Sequence, residues 1–381
     1  MPPVVRSLPS AEAEELLALT RDLVEREVAP RAAEMEAQSA FPREVFRTLG
    51  KAGLLGLPYD EEQGGAEQPY EVYLQVLEEL SRGWLAVGLG ASVHTLACFP
   101  LYAFGTAEQK DRWLPDMVGG DLLGAYCLSE AASGSDAAAL QTRAVLDGDA
   151  WVVDGAKAWV THGGEADFYN LMVRTGETGA KGISCLLAEA STPGLLPQAA
   201  EKKMGMRSSP TATVQLDAAR VPADRMLGEP GQGFRIAMSA LDGGRLGIAA
   251  CAVGVAQAAL DTAVDYAKER KQFGKRIADF QGLSFLLADM ATQVEAARAL
   301  YLSAARRRDA RQPFGPQAAM SKLFASDTAM RVTTDAVQVL GGYGYVEDFP
   351  AERYLREAKV LQIVEGTNQV QRVVIGRSLT S

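Results

Sequence analysis

Residues 144–160 read Ala-Val-Leu-Asp-Gly-Asp-Ala-Trp-Val-Val-Asp-Gly-Ala-Lys-Ala-Trp-Val. The pairs Asp147-Gly148 and Asp154-Gly155 lie between short β-favouring runs. Asp-Gly tolerates the positive φ angles of tight turns, so each pair signals a hairpin. Short apolar runs recur at residues 169–173, 183–188 and 213–216, with Gly and Pro between them. The stretch therefore reads as a small β domain.

On either side the period changes. Upstream, Ser10 stands before Glu12, Glu14 and Glu15, as an N-cap before an acidic first turn. Leu16, Leu19 and Leu23 follow at helical spacing, and Pro30 breaks or restarts the pattern. Residues 43–53 and 70–82 read as further helices, and 58–69, with two adjacent glycines, as a loop. Downstream of Pro230, residues 246–268 are rich in Ala and Val all round, which suits a helix buried on most faces. Met290, Val294, Ala297, Tyr301 and Ala304 mark one face of another long helix. Arg306-Arg307-Arg308 ends that helix and reads as a solvated end favoured by the helix dipole. The expectation is a mainly α chain with a small central β domain. Its divisions are a helical domain at 1–125, a β domain at 126–229 and a helical domain at 230–381.

With 381 residues, 48% of them hydrophobic, the chain has material for several domains. Its net charge of -10 argues against sequence-independent nucleic-acid binding, which needs clustered Lys and Arg. Cys98, Cys127, Cys185 and Cys251 form no CxxC pair, and His94 and His162 are the only histidines. No metal site is expected, and the thiols are expected to be free. Residues 1–10 resemble neither a signal nor a transit peptide. No transmembrane segment free of charges is expected, so the reading is a soluble, cytoplasmic protein.

No GxGxxG or GxxxxGK[ST] loop is present, and Gly231-Gln232-Gly233-Phe234 reads as a connecting loop. Residues 126–135, Tyr-Cys-Leu-Ser-Glu-Ala-Ala-Ser-Gly-Ser, are small and polar. Their amides either approach a ligand closely or form a plain turn. Strand alternation places Trp159 and Thr161 on one face. Arg270-Lys271-Gln272-Phe273-Gly274-Lys275 forms a basic patch, with Gln281 beyond it. Gln338 precedes Gly341 and Gly342, which suit a helix C-cap. Near the C-terminus stands Ile363-Val364-Glu365-Gly366-Thr367, with Thr367 a candidate N-cap for the segment carrying Val370, Val373 and Val374.

Taken together and in order, these segments resemble the acyl-CoA dehydrogenases over nearly the whole chain. Leu241-Asp242-Gly243-Gly244-Arg245 joins them, and the helical segments are most similar to the short-chain, butyryl-CoA type. The resemblance implies an N-terminal helical domain, a middle β-barrel-like domain and a C-terminal four-helix bundle. It implies FAD, held by Tyr126, Leu128, Ser129, Gly134, Ser135, Trp159, Thr161, Thr367 and Gln369. From a neighbouring subunit it implies Arg270, Gln272, Phe273, Gln281, Gln338, Gly341 and Gly342. It places Ser135, Asp242, Arg245 and Gly366 at the acyl-CoA, with Glu365 as the base that removes the α proton. Some relatives carry their base at the position of Gly244, which cannot serve. An electron-transfer flavoprotein as acceptor and a homotetramer are further implications. An acyl-CoA oxidase, a nitroalkane-type oxidase and a silent binding module of the same fold are the competing readings. Glu365, where the nitroalkane type carries Asp, weighs against the last two.

Overall fold

The computed structural model describes Val4 and residues 6–380. The reading of residues 1–10 as no leader rests in part on residues outside that description.

The first helix, α1 (Ala11–Leu23), starts as its sequence predicts, with the Ser10 hydroxyl accepting the Ala13 N–H at 3.2 Å. Pro30 offers no N–H to the turn before it. The chain absorbs this in a π-helical turn, Val24–Val28, and continues as α2 (Ala29–Gln38). Next come α3 (Arg43–Lys51), α4 (Tyr70–Gly83), α5 (Leu85–Phe104) and α6 (Ala107–Val118).

Helix α5 corrects one expectation. Its 20 residues contain no Asp, Glu, Lys or Arg, so a charge-free segment of membrane-spanning length does exist. Nearly all of it is buried, because it packs between α4, α6, the β sheet and a long C-terminal helix. Uniform apolarity here serves a core position.

The sheet comprises β1 (Gly124–Cys127), β2 (Arg143–Asp147), β3 (Ala150–Thr161), β4 (Phe168–Arg174), β5 (Ile183–Glu189), β6 (Leu195–Pro197), β7 (Thr211–Pro222) and β8 (Met226–Leu227). Its order is β6-β7-β3-β2-β4-β5-β8, with β1 parallel to β4. Asp147-Gly148 forms the β2–β3 hairpin turn, as read. Asp154-Gly155 does not turn the chain. It lies inside β3, where the register against β7 shifts between Val153 and Gly155 and Gly155 takes φ 144°. A bulge there lets the strand bend while continuing, since glycine alone accepts that backbone without strain.

The C-terminal part contains α7 (Gly233–Glu269), a small hairpin of β9 (Lys271–Gln272) and β10 (Lys275–Arg276), α8 (Gln281–Asp309), α9 (Gly315–Leu340), α10 (Ala351–Ala358) and α11 (Asn368–Thr380). The Ala- and Val-rich run at 246–268 is only part of α7, and Asp242–Arg245 lie inside the helix as well. The helix starts at Gly233, nine residues before Asp242 and inside the segment read as a loop. The face of α8 read from periodicity is the buried one: Met290, Val294, Ala297, Tyr301 and Ala304 are inaccessible. One apolar core joins α1, α4 and α5 to α7, α8 and α9, so the helices before and after the sheet bury their faces against each other. A second cluster seats α5, α6 and the start of α7 on the sheet, and a third fills the sheet itself. All four cysteines are free and buried.

Candidate functional site

Glu365 sits on the turn between Gln362 and α11. It takes φ 52° and Gly366 takes φ 88°, two successive left-handed residues of which only the second is glycine. Such a conformation costs a glutamate roughly 1–2 kcal/mol, so the surroundings must hold it. They do so on both sides. Lys322 of α9, fully buried, donates to the Gly366 carbonyl at 3.0 Å and to Asn368 Oδ1 at 2.9 Å. Gln371 donates to the carbonyls of Glu365 (3.2 Å) and Gly366 (2.8 Å). Thr367 caps α11, accepting the Val370 N–H at 3.3 Å, as its sequence position predicts.

The turn aims the Glu365 carboxyl at α7. Both carboxyl oxygens are buried without a hydrogen-bond partner, although the residue as a whole is only half-buried. Its amide N–H likewise has no acceptor among the described residues. Burial pushes the carboxyl up to about 7, against the opposing pull of Arg245 and Lys322. Arg245, buried in α7, pairs with Asp242 at 2.7 Å. It lies twelve residues inside the helix. Residues 243 and 244 of the helix are glycines because two neighbours require the space. Tyr70 of α4 donates to the Gly243 carbonyl at 2.9 Å, and a Cβ on Gly244 would lie 2.0 Å from Glu365 Oε2.

Asp242, Gly243 and Gly244 line a cavity of about 250 Å³ with Tyr59, Tyr70 and Arg308. Drug-sized pockets hold roughly 300–1,000 Å³, so this one suits a small group. Arg308, read from sequence as a solvated helix end, is therefore at the cavity wall.

The stretch 126–135 meets α7 on another side. The Tyr126 hydroxyl faces the Ala237 carbonyl at 3.4 Å. Its pKa is raised well above the ordinary value, first by burial, then by Cys185 and by the charge of Glu365. Leu128 is buried and Ser129 half-buried, while Gly134 and Ser135 are exposed just beyond the turn closed by Glu130 and Ser133. Sequence reasoning missed what pins this stretch. Lys157 of β3, wholly buried, donates to the Leu128 carbonyl at 3.2 Å and pairs with Glu130 at 2.8 Å. Glu130 in turn accepts the amides of Gln141 and Thr142. The only hint was a lysine within an apolar strand.

Trp159 departs from simple alternation. It takes φ 61° at a register shift between Lys157 and Val160, which turns the indole outward, 65% exposed, while Thr161 is half-buried. The expected common face of 159 and 161 thus rests on a broken strand. The Ser129 carbonyl accepts the neighbouring Ala158 N–H at 2.9 Å, so the uncovered indole stands beside the 126–135 stretch.

The remaining predicted residues gather elsewhere. Arg270, Gln272, Gly341 and Gly342 line an open groove of about 660 Å³. Gly341 caps α9 with φ 61°, and Cβ atoms on Gly341 and Gly342 would meet only open space. Phe273 and Gly274, both at positive φ, form the tip of the β9–β10 hairpin, with Phe273 94% exposed. Gln281 and Gln338 are exposed at the near ends of α8 and α9, outside the groove lining. Neither Glu365 nor any residue of 126–161 lines this groove, so the predicted residues fall into two separate groups.

These surfaces fit a large planar cofactor with a phosphate arm. An uncovered indole offers a stacking face, and a guanidinium beside bare glycine backbone offers an anion cradle. Fold and site together present a buried, unpartnered carboxyl group and surfaces with room for such a cofactor.

The Acyl-CoA dehydrogenase N-terminal, middle and C-terminal domain families match residues 10–121, 125–219 and 231–380. An acyl-CoA dehydrogenase of Bacillus subtilis is 46% identical over 363 residues, covering 95% of this chain and 96% of that protein. The mitochondrial short-chain specific acyl-CoA dehydrogenase of Bos taurus is 43% identical over 379 residues, covering 99% and 92%. The butyryl-CoA dehydrogenase of Megasphaera elsdenii superposes with a TM-score of 0.96 at 40% identity, covering 99% and 100%. The chain belongs to the acyl-CoA dehydrogenase family. It is a flavoprotein oxidoreductase of that family, and its cofactor is FAD.

Proposed function

We propose that the chain removes the α and β hydrogens of a short-chain acyl-CoA, giving the trans-2-enoyl-CoA, with Glu365 as the base. The observation that carries this is the Glu365 carboxyl, buried without a hydrogen-bond partner and poised near neutral pH beside the small cavity. A carboxylate in a dry site with its pKa near the working pH is an efficient proton acceptor. The cavity volume and the short-chain and butyryl-CoA relatives support the substrate size.

Leu128, Ser129, Trp159, Thr161, Thr367 and Gln369 would hold the flavin ring, with Tyr126, Gly134 and Ser135 shaping the stretch beside it. Arg270, Gln272, Phe273, Gln281, Gln338, Gly341 and Gly342 would hold the phosphate and adenine end from a neighbouring protomer. FAD, when bound, supplies the acceptor for the β hydrogen as hydride. The free N–H of Glu365 donates to the thioester carbonyl oxygen, and charge shifted onto that oxygen makes the α proton more acidic. Glu365 then takes the α proton on a carboxylate oxygen, while Arg245 and Lys322 keep enough positive charge nearby to hold its ionised form. Ser135, Asp242 and Gly366 flank the thioester and its carrier. The separation of the two groups supports an assembly of at least two copies, and family membership supports a homotetramer. Family membership supports an electron-transfer flavoprotein as the acceptor.

The test is the visible spectrum of the FAD-loaded protein, followed anaerobically as butyryl-CoA is added. Bleaching of the oxidised-flavin band in wild type, and its loss in Glu365→Gln, is the expected result. A wild-type band that butyryl-CoA leaves unchanged would remove the short-chain assignment.

A further inference from the structure

Arg308 occupies the last turn of α8, where its position is fixed from both sides. The adjacent Asp309 carboxylate accepts the N–H groups of Tyr70 (2.8 Å) and Glu71 (3.1 Å), capping α4. The Arg308 guanidinium then lies over the Tyr70 ring, 3.4 Å from its centroid. The same ring lines the cavity, and its hydroxyl holds the Gly243 carbonyl beside the Glu365 carboxyl.

What Arg308 lacks is a negative partner. Among the described residues no hydrogen bond or ion pair engages its guanidinium, and the neighbouring acids are committed elsewhere. Asp309 caps α4, Asp242 pairs with Arg245, Asp60 accepts from Tyr102, and Glu71 pairs with Arg306. Arg307 donates to the Pro313 carbonyl. The chain has 48 acidic residues against 38 basic ones, so an unpaired guanidinium on a cavity wall is not explained by a shortage of carboxylates. Stacking on a phenol ring costs a guanidinium little of its hydrogen-bonding capacity and holds its planar fork in a set orientation. That arrangement suits an oxyanion brought by a ligand.

We propose that Arg308 is an anchor for an oxyanion carried by the substrate. This rests on the reading of the cavity as the acyl-CoA site. Two parts of an acyl-CoA can carry such a group: the phosphates of the carrier, or a carboxylate at the far end of the acyl chain.

The test compares wild type, Arg308→Gln and Arg308→Lys as FAD-loaded proteins on three thioesters: butyryl-CoA, S-butyryl-pantetheine and S-glutaryl-pantetheine. If the phosphates are the source, Arg308→Gln raises KM for butyryl-CoA about tenfold or more, with a smaller loss in kcat. Arg308→Lys recovers part of this, and neutral S-butyryl-pantetheine shows no difference between the proteins. If the acyl carboxylate is the source, the penalty appears with S-glutaryl-pantetheine and not with butyryl-CoA. Equal KM values for all three proteins on every thioester would overturn the proposal. So would an equal penalty on all three thioesters, which marks Arg308 as packing for Tyr70. A wild-type flavin that no thioester bleaches is a different failure, because it removes the assignment of the cavity itself.

Discussion

The Glu365 carboxyl rests against the bare α-carbon of Gly244, where a methyl group would lie 2.0 Å from Oε2. The other contacts of that methyl would be the carboxyl carbon at 2.8 Å and Oε1 at 3.2 Å, so it would displace the functional group itself. Gly244→Ala should therefore act on the proposed base more than on the fold. The expected outcome is a loss of about a hundredfold or more in the rate of flavin bleaching, since misplacement by about 1 Å can cost that much. The stability cost of overpacking should be roughly 1–3 kcal/mol. Stopped-flow bleaching beside thermal unfolding separates the two. A variant that bleaches at the wild-type rate would show that the carboxyl does not act from this position.

Burial raises Glu365 to about 7, which gives two pH dependences of opposite sense. The proposed base works ionised, so kcat/KM should rise with pH through an inflection near 7 and then level. Stability runs the other way. A group whose folded pKa is raised binds its proton more tightly in the folded state. Its favourable contribution is complete below about pH 4.5 and is lost as pH rises through about 7. Glu365→Gln should thus be more stable than wild type at pH 8, by on the order of 3 kcal/mol, with the difference fading toward pH 4.5. Thermal unfolding of both proteins across this range is the measurement.

Much of this was legible because local patterns carry it. The buried face of α8 repeats every three to four residues, and the β2–β3 hairpin announces itself in Asp147-Gly148. What stayed hidden depends on residues far apart in the chain. Gly244 reads as an empty helix position until Glu365, 121 residues later, fills its space. Asp154-Gly155 carries the same dipeptide as a true turn, yet pairing with β7 makes it a bulge. Trp159 follows the alternating pattern in sequence, but a register shift turns it outward. Helix α5 has no polar face to give it a period, so neither its existence nor its core position stood out. Arg308 looks like any helix-terminal cation until α4 brings Tyr70 beneath it.

The Lys157–Glu130 pair should be a stability determinant that also controls cofactor retention. Lys157 is wholly buried and joins β3 to the Leu128 carbonyl, so removing its charge strands Glu130 in the interior. Breaking such a pair from one side costs roughly 3–5 kcal/mol. Lys157→Met should lower the melting temperature and weaken FAD binding, because the stretch beside Trp159 loses its tether. The double variant Lys157→Met/Glu130→Gln should lose less than the sum of the single changes. FAD titration by fluorescence and thermal unfolding of the three variants test this; simple additivity would count against the coupling.

The two histidines bracket one residue, Gly124 at the start of β1. His94 Nδ1 accepts the Gly124 N–H at 3.1 Å, and His162 Nδ1 meets the Gly124 carbonyl at 2.9 Å. These partners set opposite tautomers. His94 donates through Nε2 to the Met117 carbonyl at 2.8 Å, and His162 keeps a bare Nε2 among the rings of Phe41 and Phe46. Burial first of all pushes both down to about 4. A depressed folded pKa means that the unfolded chain binds more protons in the window below about pH 6.5. The contribution is therefore present above that pH and lost as pH falls through about 4. Glu365 and Glu357, raised to about 7 and about 8, titrate with the opposite sign in part of the same range. The diagnostic quantity is consequently a difference between variants. His162→Asn, which keeps a donor for the Gly124 carbonyl, should lose close to one proton from the slope of stability against pH between 4 and 6.5. An unchanged slope in thermal unfolding at matched ionic strength would mean that His162 is not neutral in the folded protein.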